Sequence, residues 1–85
     1  MIRETLIRRT AEASREPLGI VEQIVDTALA EIRVALLRGD DADMHGFGIF
    51  AVDDVPPRDD RPPYCAIRFR ACHDWRRSVN KTEDA

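Results

Sequence analysis

The chain has 85 residues, of which 44% are apolar and 34% are charged, with two cysteines and a net charge of −3. These values predict one small domain over residues 1–85 and exclude collagen-like and disulfide-scaffold classes. No run approaches the roughly 18 apolar residues of a membrane span, and the charged N-terminus lacks the apolar segment of a secretory signal, so we expect an intracellular protein without a membrane partner.

The apolar content predicts self-association. A chain of this size buries only a limited part of its surface, so a lone monomer is marginally stable. Since 44% of the residues are apolar, more apolar surface is present than one small core can hide. Dimerisation is the natural way to cover it.

Two amphipathic helices are predicted in the first half of the chain. Apolar residues recur at helical spacing for about three turns from Ile2, until Pro17 interrupts the pattern. A second stripe predicts a helix over residues 17–38. Gly39 should end it, because glycine readily adopts a positive φ.

A polar turn and a strand should follow the second helix. The aspartates at positions 40, 41 and 43 predict a solvated turn, and the strand should begin at Met44. It is built around Gly-Phe-Gly-Ile-Phe, residues 46–50. Two glycines in a strand indicate a bulge, or a point where a ring or another backbone packs closely.

Residues 53–63, called the arm below, contain four prolines and four aspartates. Interior strand pairing should not survive such a composition, so a loop or polyproline-like excursion is predicted. A strand should resume over residues 64–70, with Cys65, Ile67 and Phe69 on one face and Ala66, Arg68 and Arg70 on the other. Asp74 should cap a final short helix over residues 75–80, and residues 82–85 should fray.

This order of helix, helix, strand, arm, strand and short helix resembles the histone-like HU and integration host factor family of DNA-bending proteins. The segments that carry the resemblance are Leu36-Leu37-Arg38-Gly39-Asp40, residues 46–50, Ile67-Arg68-Phe69-Arg70 and residues 75–80. The resemblance implies an α+β fold, an intertwined homodimer or a heterodimer with a related subunit, double-stranded DNA as partner, and a place in the cytoplasmic nucleoid. It also implies two ribbon arms in the minor groove, with a proline wedge near each tip.

The arm of this chain is short and acidic. Only 18 residues separate Phe50 from Phe69, and residues 40–63 carry seven aspartates against two arginines. Pro63 follows Arg61 and Pro62 and is the candidate wedge. The function expected from the resemblance is therefore weak, largely sequence-independent binding to backbone phosphates, with reduced bending. The alternative is a protein–protein assembly module that kept the fold and lost DNA binding.

Basic residues concentrate after the arm, where residues 68–81 contain five cations and one acid. Arginine suits phosphate recognition, but a charge run is also typical of a solvated face, and the sequence leaves both interpretations open. The candidate DNA-binding residues are Arg58, Arg61, Arg68, Arg70, Arg76 and Lys81.

Four aromatic side chains lie on the apolar sides of their predicted elements. They could stack on bases, but a small dimer needs aromatic side chains to fill its core, and that interpretation is favoured. The predicted dimer core comprises Phe47, Phe50, Phe69 and Trp75.

No metal site, cofactor or catalytic group is predicted. A zinc site built from Cys65, Cys72, His45 and His73 is disfavoured, because no Cys-x-x-Cys pair or helical histidine pair is present. No serine, histidine and carboxylate set has local support as a triad. We therefore expect a protein that is not an enzyme.

Overall fold

The computed structural model describes residues 1–80. The chain forms α1 (Arg3–Ser14), α2 (Leu18–Leu37), β1 (Ala42–Met44), β2 (Gly48–Val55), β3 (Tyr64–Ala71) and α3 (His73–Val79). The predicted α+β class is confirmed, with two N-terminal helices, a short antiparallel sheet and a short C-terminal helix. Lys81 and the predicted frayed tail at residues 82–85 lie outside the described residues.

The backbone divides into two compact units, Met1–Arg33 and a second unit that begins at Val34. In the first unit, the apolar stripes of the helices supply the buried Ile7, Ala11 and Val21, against which Val25 packs. Arg15 ends α1 in the left-handed region, with φ of 58°. The chain can therefore reverse direction before Pro17. The carbonyl oxygen of Pro17 accepts a hydrogen bond from the N–H of Val21, in the first turn of α2.

One arginine ties the two helices of this unit together. Arg3 on α1 contacts Asp26 and Glu22 on α2, and its Nε lies 2.9 Å from Asp26 Oδ1. The hydrogen bond from Arg3 is the main cause that holds the pKa of Asp26 below its usual value. The same contact raises the pKa of Arg3, so both groups stay charged at neutral pH.

Gly39 terminates α2 as predicted. Its φ is +82°, and the N–H groups of Gly39 and Asp40 donate to the carbonyls of Leu36 and Ala35, each at 3.0 Å. This pairing is the Schellman arrangement, which satisfies the last carbonyls of a helix and requires a residue that tolerates positive φ.

Residues 46–50 span the end of a hairpin turn and the start of β2, rather than one continuous strand. Ala42–Met44 pairs antiparallel with the start of β2, and the turn between them carries Gly46 at φ +85°. The prediction that Asp43 lies in a solvated turn was wrong, because backbone pairing with Ile49 places it in β1. The close-packing prediction is confirmed at Gly48, where an added Cβ would lie 2.6 Å from the Phe69 ring.

β2 and β3 pair in one register from Gly48 opposite Ala71 to Val55 opposite Tyr64. The prediction of a loop from residue 53 was wrong for Asp53, Asp54 and Val55, which complete the ladder. Pairing resumes at an isolated bridge between Arg58 and Arg61, on either side of residues 59–60. The sheet thus continues into the arm, and only the two proline pairs interrupt its hydrogen bonds.

α3 follows β3 after a single residue. The N–H of Cys72 donates to the carbonyl oxygen of Phe47 over 2.8 Å, and the Trp75 indole N–H donates to the same oxygen. The predicted cap was wrong, since Cys72 occupies that position without a side-chain hydrogen bond and Asp74 lies in the first turn. Helix and hairpin turn are joined through one shared carbonyl.

Within residues 1–80, few apolar side chains are hidden. The buried ones are Ile7, Ala11, Val21, Ala42 and Ala51, and no large side chain in this range is fully buried. On α2 alone, large apolar residues at positions 18, 20, 24, 29, 34 and 37 are exposed. None of the helices in this range combines the length and apolar character needed to cross a bilayer.

Candidate nucleic-acid interface

The β2–β3 ladder has two chemically different faces. Residues paired directly across an antiparallel ladder project from the same face, and alternate pairs project from opposite faces. The aromatic face carries the pairs Phe50–Phe69, Val52–Ile67 and Asp54–Cys65. The arginine face carries the pairs Ile49–Arg70, Ala51–Arg68, Asp53–Ala66 and Val55–Tyr64. The predicted alternation along β3 is confirmed by this register.

Arg68 and Arg70 lie side by side on the arginine face. Their side chains are 59% and 69% exposed, so both guanidinium groups can be reached from solvent. Asp53 of β2 lies on the same face, where it pairs with Ala66. Its carboxylate is 2.9 Å from Arg68 Nε and 4.0 Å from Arg70 Nη2. Two of the predicted phosphate ligands therefore share one internal carboxylate.

The end of the arm brings two further predicted arginines together. Arg58 and Arg61 exchange backbone hydrogen bonds across the two-residue turn at 59–60. Together with Arg68 and Tyr64 they line a cavity of about 200 Å³, whose other walls are Val55, Pro56 and Pro62. The cavity, called the arginine pocket below, is lined by three of the predicted DNA-binding arginines.

The remaining predicted DNA-binding residues lie elsewhere. Arg76 is exposed on α3, where its Nη2 lies 3.4 Å from Nδ1 of His73. Lys81 lies outside the described residues. The candidate wedge Pro63 is next to β3, three positions after the turn at 59–60, and lines a separate groove with Asp54 and Cys65. The extreme end of the arm is therefore formed by Asp59 and Asp60.

The four predicted dimer-core aromatics form one cluster. The Phe47 ring lies 5.3 Å from that of Phe69 and 5.6 Å from that of Trp75, and Phe50 lies 4.9 Å from Phe69. Phe47 remains 51% exposed and Phe69 40% exposed. One chain therefore brings the four rings together, but leaves two of them about half exposed to solvent.

The cysteines and histidines do not assemble into a metal centre in the described part of the chain, where no group of three His, Cys, Asp or Glu side chains could hold an ion. Cys65 is exposed in the single chain. Its thiol donates to Asp54 Oδ1 over 3.4 Å, and this contact raises the pKa of Cys65.

Residues 1–80 match the family described as bacterial DNA-binding protein. This chain belongs to the bacterial DNA-binding protein family. It is 47% identical over 60 residues to integration host factor subunit alpha of Bordetella avium and to that of Bordetella pertussis. Each alignment covers 71% of this chain, and 48% and 50% of the respective relative. The chain therefore spans about half the length of the curated relatives it matches.

Solved structures of the same family have the same fold. A mutant of HU from Thermotoga maritima, 28% identical, matches with a TM-score of 0.76 over 93% of this chain and 99% of that chain. Anabaena HU in a cocrystal with DNA matches with a TM-score of 0.86 over 93% and 97%. At 24% identity, the second likeness shows the fold alone. The predicted relationship to HU and integration host factor is confirmed, and this family consists of DNA-binding architectural proteins rather than enzymes.

The contact of Asp53 with Arg68 was not predicted from the sequence, where Asp53 was counted only among the acidic residues of the arm. The signal was nevertheless present, because Phe50 and Val52 are apolar and alternate residues project from the opposite face. Extending that alternation by one residue predicts that Asp53 projects from the face opposite to Phe50 and Val52, which is the face that carries Arg68.

Proposed function

We propose that this chain binds duplex DNA through backbone phosphates, weakly and largely without sequence preference. The observation that carries the proposal is the pair of exposed arginines, Arg68 and Arg70, on one face of the ladder in a member of a DNA-binding family. Guanidinium groups form paired hydrogen bonds with phosphate oxygens, and such contacts do not depend on base identity. Arg76 and Lys81 are proposed as additional phosphate contacts.

We infer that the binding unit is an intertwined dimer, in which residues 1–85 of each copy act as one domain. The support is the exposed apolar surface in both compact units, seen in the side chains of α2 and in the half-open aromatic cluster. Burial of apolar surface contributes about 25 cal/mol of stabilising free energy per Å². Covering this surface with a second copy of the same chain therefore stabilises a dimer. A heterodimer with a related subunit would use the same surfaces.

This chain should bend DNA less strongly than a protein with long basic arms does. Eight residues follow Phe50 before the turn at 59–60, which corresponds to a reach of roughly 26 Å if they are fully extended. The turn itself carries Asp59 and Asp60, whose charges repel phosphates. Pro63 is retained as the candidate wedge, although it stands back from the turn. A place in the nucleoid would follow from DNA binding of this kind.

The test is binding to linear, nicked and four-way-junction DNA across a salt series. We expect dissociation constants of about 1–100 µM at physiological salt and tighter binding at low salt, because DNA binding releases bound counterions. The double variant Arg68→Ala/Arg70→Ala should lose binding on all three DNA forms. The matched control Arg9→Ala/Arg33→Ala removes the same charge from the helices and should bind like the parent protein.

A second function, protein–protein assembly without DNA, is favoured by one specific observation. Asp53 engages both exposed arginines of the ladder and so competes with any phosphate. A dimer that forms no complex with any of the three DNAs at low salt would support that function and contradict the first. A stable monomer in sedimentation would contradict the dimer on which both depend.

A further inference from the structure

We propose that the arginine pocket receives an aspartate from the arm of a second copy of this chain, so that two arms bind each other. This contact goes beyond DNA binding and does not depend on it. Each proposed dimer carries two arms, so the contact would join one dimer to the next. The proposal comes from unpaired charges of both signs at the end of one short hairpin.

The end of the arm carries equal numbers of positive and negative charges. Residues 58–61 read Arg-Asp-Asp-Arg, and all four side chains are exposed. Within residues 1–80, none of the four forms an ion pair, although opposite charges are adjacent in the chain. Both the arginines and the aspartates are therefore available to groups outside their own arm.

The arm reads the same in both directions. Residues 56–63 are Pro-Pro-Arg-Asp-Asp-Arg-Pro-Pro. Val55 pairs with Tyr64 and Arg58 pairs with Arg61, so one unchanged register sets the residues of this palindrome opposite identical ones. The two strands of the tip therefore present the same groups in the same order, and a second arm meets the same charges along either strand.

The four prolines decide how two arms can meet. Proline has no N–H to donate, so a strand cannot add to the arm at residues 56–57 or 62–63 through a continuous ladder of backbone hydrogen bonds. Proline also fixes φ at about −65°, which reduces the conformational freedom that the tip loses on binding. Two arms therefore meet through side chains, on a backbone that is already restricted.

The arginine pocket suits a carboxylate. A guanidinium group and a carboxylate form two parallel hydrogen bonds. Arg58, Arg61 and Arg68 line the pocket together with Tyr64. Asp53 faces Nε of Arg68, which leaves the two terminal nitrogens of that guanidinium for a ligand. The volume of about 200 Å³ equals roughly seven waters at their share of liquid volume, enough for an aspartate side chain.

The charges beside the pocket favour a second arm over DNA. A duplex carries one negative charge about every 1.7 Å along its axis, so Asp59 and Asp60 would repel the phosphates next to a bound one. A second arm instead presents arginines beside its aspartates. When one arm places Asp59 or Asp60 in the pocket of the other, two-fold symmetry forms the reverse contact at the same time. Each ion pair is therefore formed twice.

The contact should be weak and sensitive to salt. Exposed ion pairs contribute little one by one and are screened by dissolved ions. We expect a dissociation constant of about 0.1–1 mM at low salt. Association of this strength takes place at high local concentrations of the protein.

The experiment is sedimentation velocity of the full chain without DNA, at protein concentrations from about 10 µM to about 1 mM. At low salt, the sedimentation coefficient of the parent protein should rise above the dimer value as the concentration increases. At about 1 M salt, where the screening length is only about 3 Å, it should stay at the dimer value.

Two variants with complementary charges test which side chains meet. Arg58→Asp/Arg61→Asp makes the tip wholly acidic. Asp59→Asn/Asp60→Arg makes it basic, with asparagine at position 59 because φ there is 22° and asparagine tolerates positive φ. Each variant alone should lose the association beyond the dimer, whereas an equimolar mixture of the two should restore it.

Arg9→Asp/Arg33→Asp is the charge-matched control for the acidic variant. It makes the same charge reversal on α1 and α2, and it should associate through its arms like the parent protein. A mixture of the two arm variants that does not associate overturns the proposal, because opposite charges then do not meet across copies.

The remaining outcomes separate the arm contact from the proposed function. A parent protein that binds duplex DNA but stays at the dimer value up to about 1 mM overturns the arm contact and leaves DNA binding standing. If Arg58→Asp/Arg61→Asp then also loses duplex binding, these arginines serve DNA instead of a second arm. A parent protein that is monomeric when dilute, yet associates through its arms, contradicts the proposed dimer and supports the arm contact.

Discussion

Asp53 and Arg68 form an ion pair across the β2–β3 ladder, with Asp53 Oδ2 2.9 Å from Arg68 Nε. The two residues are not directly opposed, since Arg68 pairs with Ala51 and Asp53 pairs with Ala66. They are diagonal neighbours on the same face, within reach of long side chains. The face proposed to bind phosphate therefore already contains a carboxylate that occupies its arginines.

The first prediction is that Asp53→Asn tightens DNA binding. Removal of the carboxylate frees Arg68 and Arg70 and abolishes a repulsion, worth about 0.6 kcal/mol for charges roughly 7 Å apart in water. With the exposed ion pair also removed, we expect about 3- to 10-fold higher affinity, measured by fluorescence anisotropy at low salt. Asp54→Asn is the matched control, because it makes the same charge change on the opposite face. Equal effects of the two variants would show that only net charge matters.

The order of elements could be predicted because it depends on strong local signals. Apolar spacing located α1 and α2, and Gly39 marked the end of α2 because it is the residue best suited to positive φ. The alternation from Cys65 to Arg70 gave the two faces of β3. In each case the information lies within a few residues of the feature that it predicts.

The errors arose where a distant partner decides the outcome. Asp53 and Asp54 look unsuited to a strand, yet β3 pairs with them and fixes their conformation. Asp43 likewise lies in β1 because its backbone pairs with Ile49 of β2. The arginine pocket could not be predicted, since it depends on the backbone bridge that places Arg58 opposite Arg61, which composition alone does not specify.

The second prediction concerns Gly48, whose missing side chain makes room for an aromatic ring. A Cβ there would lie 2.6 Å from both the Phe69 ring and the Arg70 carbonyl oxygen. Gly48→Ala should therefore destabilise the fold by about 1–3 kcal/mol, as overpacking does. Gly19→Ala is the control, because nothing lies within 4 Å of its Cβ position and alanine favours helix by about 0.5–1 kcal/mol. Urea unfolding at fixed protein concentration should move the two midpoints in opposite directions.

The third prediction is a pH dependence at the contact between Arg3 and Asp26. The folded state lowers the pKa of Asp26 from its ordinary 3.8, chiefly through the hydrogen bond from Arg3. The contact therefore contributes its full stability above that ordinary pKa and loses it as pH falls through the lower, folded-state value. Asp26→Asn should melt below the parent protein at pH 7, with the difference shrinking below about pH 4.

Glu12→Gln is the control for this measurement. Glu12 is exposed on α1 and makes no ion pair within residues 1–80. The melting temperature of the Glu12→Gln variant should therefore follow that of the parent protein both at pH 7 and below pH 4. A difference between Asp26→Asn and the parent that persists unchanged at pH 2 would contradict an ionic origin. In that case the asparagine would be acting through packing or helix propensity.

The fourth prediction concerns the dimer surface of α2. Ile24 is 62% exposed in the single chain, so the folded monomer could accept a charge there. In the proposed dimer that side chain is covered, and a buried unpaired carboxylate costs several kcal/mol. Ile24→Asp should therefore shift sedimentation from dimer to monomer and lower the thermal stability. Gln23→Asp introduces the same charge one residue away at an exposed polar position, and it should remain dimeric. A dimeric Ile24→Asp protein would show that this part of α2 does not form the interface.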